Sequence, residues 1–514
     1  MKKHAVTLYP LEKTQSFDED TLLLDALTDM GVIVKTPCGG KGVCGKCRVK
    51  VKGALSALTE QEKRHAVNDE RLACQAKIMG DVQVFIEDSV TRREVIYHPV
   101  DREARYGVAV DIGTTTVQVK LVTIGRSESF LIGSFLNPQR RYGHDVIARI
   151  TVSDDPEKYQ ELVNLIQHAV ATLLLDFLDV VKLSPEQIDL LIFSGNTTMM
   201  YFLFNIDVST LGVYPFTVPR LDFDDFRPDD IALEIFRNAR VFALPAVSAY
   251  LGSDLIGGLA LALEQGFDRN VIFIDIGTNG EIFMINSSGA IYAASCAMGP
   301  ALEGMNISSG MTADVGAITH IGADNNKLDF EMLGESAPVG MCGTALIDII
   351  AHFLRMGVIL PSGAFSKEIS NIELPTPARY LHDGNLKMIK LWDEITLTQK
   401  DIRNVQLAKG ASLSAALILL DEAGCSLRDI EQVLIAGAFG QHLDIENFKQ
   451  LRFLPDFPNA EYHFLGNSSL TAAERACLDP GFLEKARSAR DRVQVVELSG
   501  HTDFNKQFVE AIKF

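Results

Sequence analysis

A strand that ends in an acid, a glycine–threonine turn and a return strand occur twice in this chain, and no other feature restricts its fold as much. The first copy reads Gly107-Val108-Ala109-Val110-Asp111-Ile112-Gly113-Thr114-Thr115-Thr116 and continues through the alternating Val117-Gln118-Val119-Lys120-Leu121-Val122. The second, about 164 residues later, reads Val271-Ile272-Phe273-Ile274-Asp275-Ile276-Gly277-Thr278-Asn279-Gly280-Glu281-Ile282-Phe283. A continuous apolar run suits a strand covered on both faces, and the alternation after the turn suits its antiparallel partner. Such a turn offers backbone N–H groups and hydroxyls to phosphate oxygens, and the acid at the strand end can hold Mg²⁺ through water. One copy alone is also an ordinary structural hairpin. Two copies facing each other across a cleft would clamp the phosphate tail of one nucleotide, with Asp111 and Asp275 organising Mg²⁺. Gly113, Thr114, Thr115, Thr116, Gly277, Thr278, Asn279 and Gly280 are then the expected phosphate-side residues.

A third glycine motif follows the apolar strand Gln432-Val433-Leu434-Ile435-Ala436. Its turn, Gly437-Ala438-Phe439-Gly440, has side-chain-free positions that let backbone approach an adenosine. A strand followed by a plain tight turn is the alternative. The G-x4-GK[ST] phosphate loop is absent, which excludes a Walker-type ATPase.

The N-terminal region carries different chemistry. Four of the eight cysteines lie within the first 74 residues: Cys38, Cys44, Cys47 and Cys74, a C-x5-C-x2-C group with the fourth 27 positions later. A loop wrapping an iron–sulfur cluster must bring N–H groups close to sulfur, and Gly39, Gly40, Gly42 and Gly45 supply the freedom that needs. Zinc ribbons usually present two short Cys-x2-Cys hooks, whereas only Cys44 and Cys47 form one here. The spacing favours a 2Fe–2S cluster over zinc or free thiols, and its extra residue resembles the adrenodoxin-like branch of ferredoxins. The surrounding pattern predicts a strand at His4–Leu8 and a helix capped by Asp20 through Leu22, Leu23, Ala26 and Leu27. A strand at Arg48–Val51, a helical stretch and a final strand at Val82–Ile86 follow. Cys296, Cys342, Cys425 and Cys477 are scattered; Cys296 and Cys342 lack neighbours at ligand spacing and read as buried thiols.

Residues 89–105 are polar and charged and read as a linker. That leaves a domain at 1–88 and a second at 106–514, with halves of about 106–250 and 251–514. A formal charge of −19 argues against nucleic acid or an anionic membrane as partner. Neither a signal-peptide core nor an uninterrupted apolar run of about 18 residues occurs, so a cytoplasmic location is expected. Asn196 and Thr197 could lie near a terminal phosphate or merely cap a helix. Met199, Met200, Tyr201 and Phe202 read as core. Asp222, Asp224, Asp225, Asp229 and Asp230 read as a solvated loop or a recruiting patch.

Together, the three glycine motifs resemble the acetate and sugar kinase/Hsp70/actin superfamily, and Leu244–Gly252 resembles its connecting helix. A ferredoxin followed by this ATPase resembles the reductive activators of corrinoid-dependent enzymes. Similar strings occur at Ser194–Met200, Gly299–Gly304, Cys342–Asp348, Leu397–Arg403 and Asn467–Leu470. The resemblance implies a multidomain α/β protein: a β-grasp 2Fe–2S domain joined to a duplicated actin/Hsp70-like, RNase H-like ATPase domain. Longer members carry a middle domain, which only about 18 residues between Asp88 and Tyr106 leave no room for; it is expected to be missing.

The resemblance further implies cofactors (a 2Fe–2S cluster, ATP and Mg²⁺) and a reaction. Electrons would come from an external ferredoxin or flavodoxin and return an inactive Co(II) corrinoid protein of a methyltransferase system to Co(I). Plant-type clusters lie near −400 mV, and a deficit of ~100 mV corresponds to about 2.3 kcal/mol per electron, within reach of ATP. Glu281 is a candidate to orient the attacking water, unless it points outward on the return strand. A homodimer is possible. Two other functions fit the same residues: electron delivery to another low-potential acceptor such as an acyl-CoA reductase, or a redox-responsive binding protein using nucleotide only as a switch.

Overall fold

The computed structural model describes residues 2–9, 13–30, 32–34, 42, 45, 47–65, 70–85, 91–92, 96, 98–313, 316–324, 326–334, 337–383, 386–393, 395–437 and 443–514. The expected cluster ligands Cys38 and Cys44, and the turn residues Ala438 and Gly440, lie outside them.

In the N-terminal domain, strand Lys3–Tyr9 runs antiparallel to Lys13–Asp18 and parallel to Ile78–Phe85. Ile78–Phe85 in turn pairs antiparallel with Arg48–Leu55, and Glu70–Leu72 closes the edge. Alternation turns Val6, Leu8, Val49, Val82 and Val84 inward, and helix Leu23–Asp29 covers them with Leu23, Ala26 and Leu27. This is the expected β-grasp. Asp20 does not cap the helix: its φ of 71° makes a turn, and its N–H donates to the Ile78 carbonyl. The expected helical stretch is one 3-10 turn, Glu62–Arg64, where buried Glu62 accepts from both Arg71 Nε (2.8 Å) and Nη2 (3.0 Å).

The described linker residues are packed against both domains. Thr91–Arg92 pairs with Val32–Ile33, the Ile96 N–H donates to the Ile132 carbonyl, and His98 stacks on Phe130 at 4.8 Å. Asp25, on the ferredoxin helix, pairs with Arg141 of the second domain at 3.2 Å.

Beyond the linker, two sheets repeat one plan. The first has the order Glu128–Leu136, Thr116–Thr123, Tyr106–Ile112, Ile188–Gly195, Arg240–Ala243. The second runs Glu461–Gly466, Gln432–Ala436, Val271–Ile276, Gly280–Ile285, Ile291–Cys296, Val493–Val495. In each, the strand ending in aspartate lies between its own hairpin partner and a parallel strand. Helices Ser253–Glu264 and Ser468–Leu478 fill the space between the sheets. Leu255, Ile256, Leu259, Leu470 and Ala473 share one core with Ala109 and Ile192 of the first sheet and Phe273 and Leu434 of the second. That shared core holds the two aspartate-tipped strands over a common cleft.

Leu244–Gly252 is not a helix. Val247 and Ser248 N–H groups donate forward to the Leu251 carbonyl, the reverse of helical bonding, and the helix begins only at Ser253. Met199, Met200, Tyr201 and Phe202 are fully buried. The acidic loop is tied down internally: Asp222 pairs with Arg490 at 2.8 Å, Asp225 with Arg220 at 2.8 Å, and Asp224 with Arg487. Helix Pro156–Val181 is long and apolar enough by composition to cross a membrane, but Leu162, Ile166, Leu173 and Phe177 are packed in the first-sheet core.

Candidate functional site

A cavity of about 450 Å³ opens where the two hairpins meet. Five carboxylates line it: Asp111, Asp254, Asp275, Glu281 and Glu303. Asp275 and Glu281 are direct cross-strand partners, so their side chains leave the same face of the sheet, and Glu281 therefore points into the cleft. Asp111 is fixed by Ser469 Oγ at 2.7 Å and Asn467 Nδ2 at 2.8 Å, and Asn467 also donates to Gln118 Oε1. Asp254 enters from the first turn of the helix between the sheets.

Burial and mutual repulsion raise Asp254, Asp275 and Glu281 above the usual carboxylate range. Burial, with the charges of Asp254 and Asp111 behind it, pushes Asp275 up to about 8. Burial and the charge of Asp111 push Asp254 up to about 7, and Glu281 is raised well above the usual range by burial and the charges of Asp254 and Asp275. Glu281 Oε1 is buried without a hydrogen-bond partner, and no Lys or Arg is among the described residues lining the cavity. Such a site fits a divalent cation. Among the described residues no three Asp, Glu, His or Cys side chains converge closely enough to hold an ion directly. Mg²⁺ reached through water and phosphate oxygens meets both facts, since Mg²⁺ keeps much of its hydration.

The pH dependence follows in sign. Asp254 and Asp275 each support the fold in full below their ordinary value of 3.8, and that contribution is lost progressively as pH rises from there to the folded values of about 7 and 8. The melting temperature of the nucleotide-free chain should therefore fall across this window, and saturating MgATP should remove most of the fall. A flat nucleotide-free profile in a pH series of thermal melts would contradict it.

The turns themselves divide into two groups. Gly113, Thr114, Thr116, Gly277, Thr278 and Asn279 line the cavity, as does Gly437. Thr114 is held from both sides, its Oγ1 accepting from Asn196 Nδ2 at 2.8 Å and its carbonyl from Arg149 Nη2 at 2.5 Å. Asn196 also caps helix Thr197–Leu203 and lines the cavity. Thr115 is not at the cavity wall. Its Oγ1 lies 3.1 Å from Thr278 Oγ1, and both hydroxyls donate to Glu303 Oε2, at 2.8 and 2.6 Å. Gly280 opens the return strand, packed against Met298 and Cys296 rather than the cleft. Cys296 and Cys342 are both buried thiols, as expected, and Cys342 also lines the cavity.

In the ferredoxin domain, Cys47 and Cys74 are buried with their sulfurs 3.1 Å apart. That exceeds the roughly 2.05 Å of a disulfide and suits two thiolates converging on one metal centre. Gly45 has φ 65°, and a Cβ there would lie 2.8 Å from His65 Nδ1, so the loop needs glycine at this point. These residues fit a 2Fe–2S cluster.

Three family models match the chain in order: a 2Fe-2S iron-sulfur cluster binding domain over residues 6–79, the RACo middle region over 106–266, and the C-terminal ASKHA domain of RACo over 269–514. The chain belongs to the reductive activators of corrinoid-dependent enzymes. The middle region expected to be missing from this activator is present as residues 106–266, the part that builds the first sheet. The activator is 27% identical to the corrinoid activation enzyme RamQ of Eubacterium limosum, over 91% of this chain and 92% of that one. It is 26% identical to the [Co(II) methylated amine-specific corrinoid protein] reductase of Methanosarcina barkeri, over 74% and 71%. The solved structure of a reductive activator for corrinoid, iron-sulfur protein superposes with a TM-score of 0.72 at 26% identity, covering 99% and 98%.

Asp254, Glu303, Asn467 and Ser469 had no assigned role in the sequence. Glu303 and the Asn467–Ser469 pair fall in two of the family-like strings, which were the available signal. Asp254 carried none.

Proposed function

We propose that this chain is an ATP-dependent reductive activator that returns a Co(II) corrinoid protein of a methyltransferase system to Co(I). The observation that carries the reading is the union, in one chain, of a converging thiol pair and a two-hairpin phosphate cleft. The overall match to a known activator supports it. A 2Fe–2S cluster held by Cys47 and Cys74, with Cys38 and Cys44 as the other ligands, supplies one-electron reduction when bound. Asp111 and Asp275 hold Mg²⁺ through water, Thr114, Thr278 and Asn279 face the phosphates, and Gly437 borders the nucleoside end. Glu281, in the same cleft, is placed to orient water. Hydrolysis moves the two sheets about their shared helical core, and that motion changes what the activator presents to its corrinoid partner. The external electron donor is a reduced ferredoxin or flavodoxin, the setting cytoplasmic, and the assembly a possible homodimer.

The test is anaerobic absorption spectroscopy of a Co(II) corrinoid protein from the same cell, mixed with the activator and a chemical reductant. The Co(I) spectrum is expected only with MgATP. ATP turnover and a reducible cluster without Co(I) would move the assignment to another low-potential acceptor.

A further inference from the structure

The hydroxyls of Thr115 and Thr278 come from opposite hairpins, yet both donate to a single oxygen, Glu303 Oε2. With the 3.1 Å hydroxyl–hydroxyl contact they close a triangle across the cleft. Both threonine side chains are buried, and Glu303 is half-buried at the cavity wall. A hydroxyl has one proton to donate, so neither threonine can serve this carboxylate and a phosphate oxygen together. A carboxylate oxygen taking donors from both hairpins is the arrangement expected of a phosphate oxygen held between them.

Glu303 also sits on a short segment in contact with both halves. It ends the 3-10 turn Pro300–Glu303, which is bounded by Gly299 and Gly304, both in the left-handed region at φ 74° and 79°. The Gly299 N–H donates to the Thr278 carbonyl at 2.8 Å, so the segment is fastened to the second hairpin itself. On the other side, Met305 Sδ lies 3.0 Å from Arg140 Nη2, on the first half.

We propose that Glu303 is an internal stand-in for the terminal phosphate of a nucleoside triphosphate. It closes the cleft of the nucleotide-free chain and is displaced when that phosphate arrives. The inference rests on the nucleotide reading of the cleft, not on the identity of the electron acceptor. Displacement frees both hydroxyls, removes one of five carboxylates from the phosphate's surroundings, and shifts Pro300–Glu303 against the first half. A nucleoside diphosphate lacks the group that competes, and leaves the triangle closed.

Calorimetric titration of the full chain with MgATP and MgADP separates this role from others. Glu303→Ala should bind MgATP about tenfold more tightly, because the competing charge-assisted hydrogen bonds are gone, with little change for MgADP. Glu303→Gln keeps the side chain's size and one acceptor oxygen; it should shift in the same direction by less, and it decides the matter should the alanine variant fold poorly. MgATP affinity unchanged or weaker in the glutamine variant would overturn the proposal, since a Mg²⁺ ligand or water-orienting base would weaken binding and a merely structural clasp would not move the ATP-to-ADP ratio. Wild-type chain that binds no MgATP would instead remove the nucleotide reading, and the proposal with it.

Discussion

Cys74→Ser protein is expected to contain almost no iron or acid-labile sulfide and to form no Co(I), while its ATPase unit remains folded and binds MgATP normally. Serine leaves a hard alkoxide donor in place of the soft thiolate that iron–sulfur chemistry requires. The site is buried at the centre of the small domain, beside Leu72, Ala73 and Ala76, so a hydroxyl there has neither metal nor solvent to satisfy it. A domain of this size has a modest core, and losing its metal removes a large part of its stability. Its core is nevertheless separate from those of the two sheets, which is why the damage should stop at the linker. Metal analysis with calorimetric MgATP binding checks both halves; stoichiometric iron in the variant would remove Cys74 from the ligand set.

Asp275→Asn should reduce steady-state ATP hydrolysis by about 100-fold, a loss on the scale of removing one preorganised electrostatic group from a transition state. Asparagine is nearly isosteric, so packing is not the cause. The free protein should gain heat stability, because one of five crowded acids becomes neutral. Phosphate release measured over a range of Mg²⁺ gives the answer. Turnover like wild type would show that the ion is organised elsewhere.

The two chemistries were legible because each is written locally. Asp111 with Thr114, and Asp275 with Thr278, are neighbours within one hairpin, and Cys44 with Cys47 within one loop. Glu281 was ambiguous until strand register placed it opposite Asp275, since a shift of one residue would have turned it to the other face. Glu303 and Ser469 reach the cleft from segments far from the aspartates in sequence, and Asp254 comes from a helix with an otherwise apolar face; only the stacking of the two sheets brings them together. The helix expected at Leu244–Gly252 failed because Pro245 lacks a donor and the following residues bond forward into a turn. Asp20 failed as a cap because its backbone was already engaged with Ile78.

The fastened linker sets a leash. With Thr91–Arg92 still laddered to Val32–Ile33, the stretch from Arg92 to the anchored Ile96 spans at most about 14 Å. With that two-residue ladder released, the bound becomes the contour length from Phe85 to Ile96, at most about 40 Å. The Asp25–Arg141 pair between the domains is partly exposed and of a kind that contributes about 0–1 kcal/mol, a weak hold by itself. Within the longer radius the ferredoxin domain meets any acceptor seated on the sheets at an effective concentration on the order of millimolar, whatever the protein's own dilution. An acceptor bound beyond that radius is out of range, so the breaking of a two-residue ladder decides how far the electron carrier can travel.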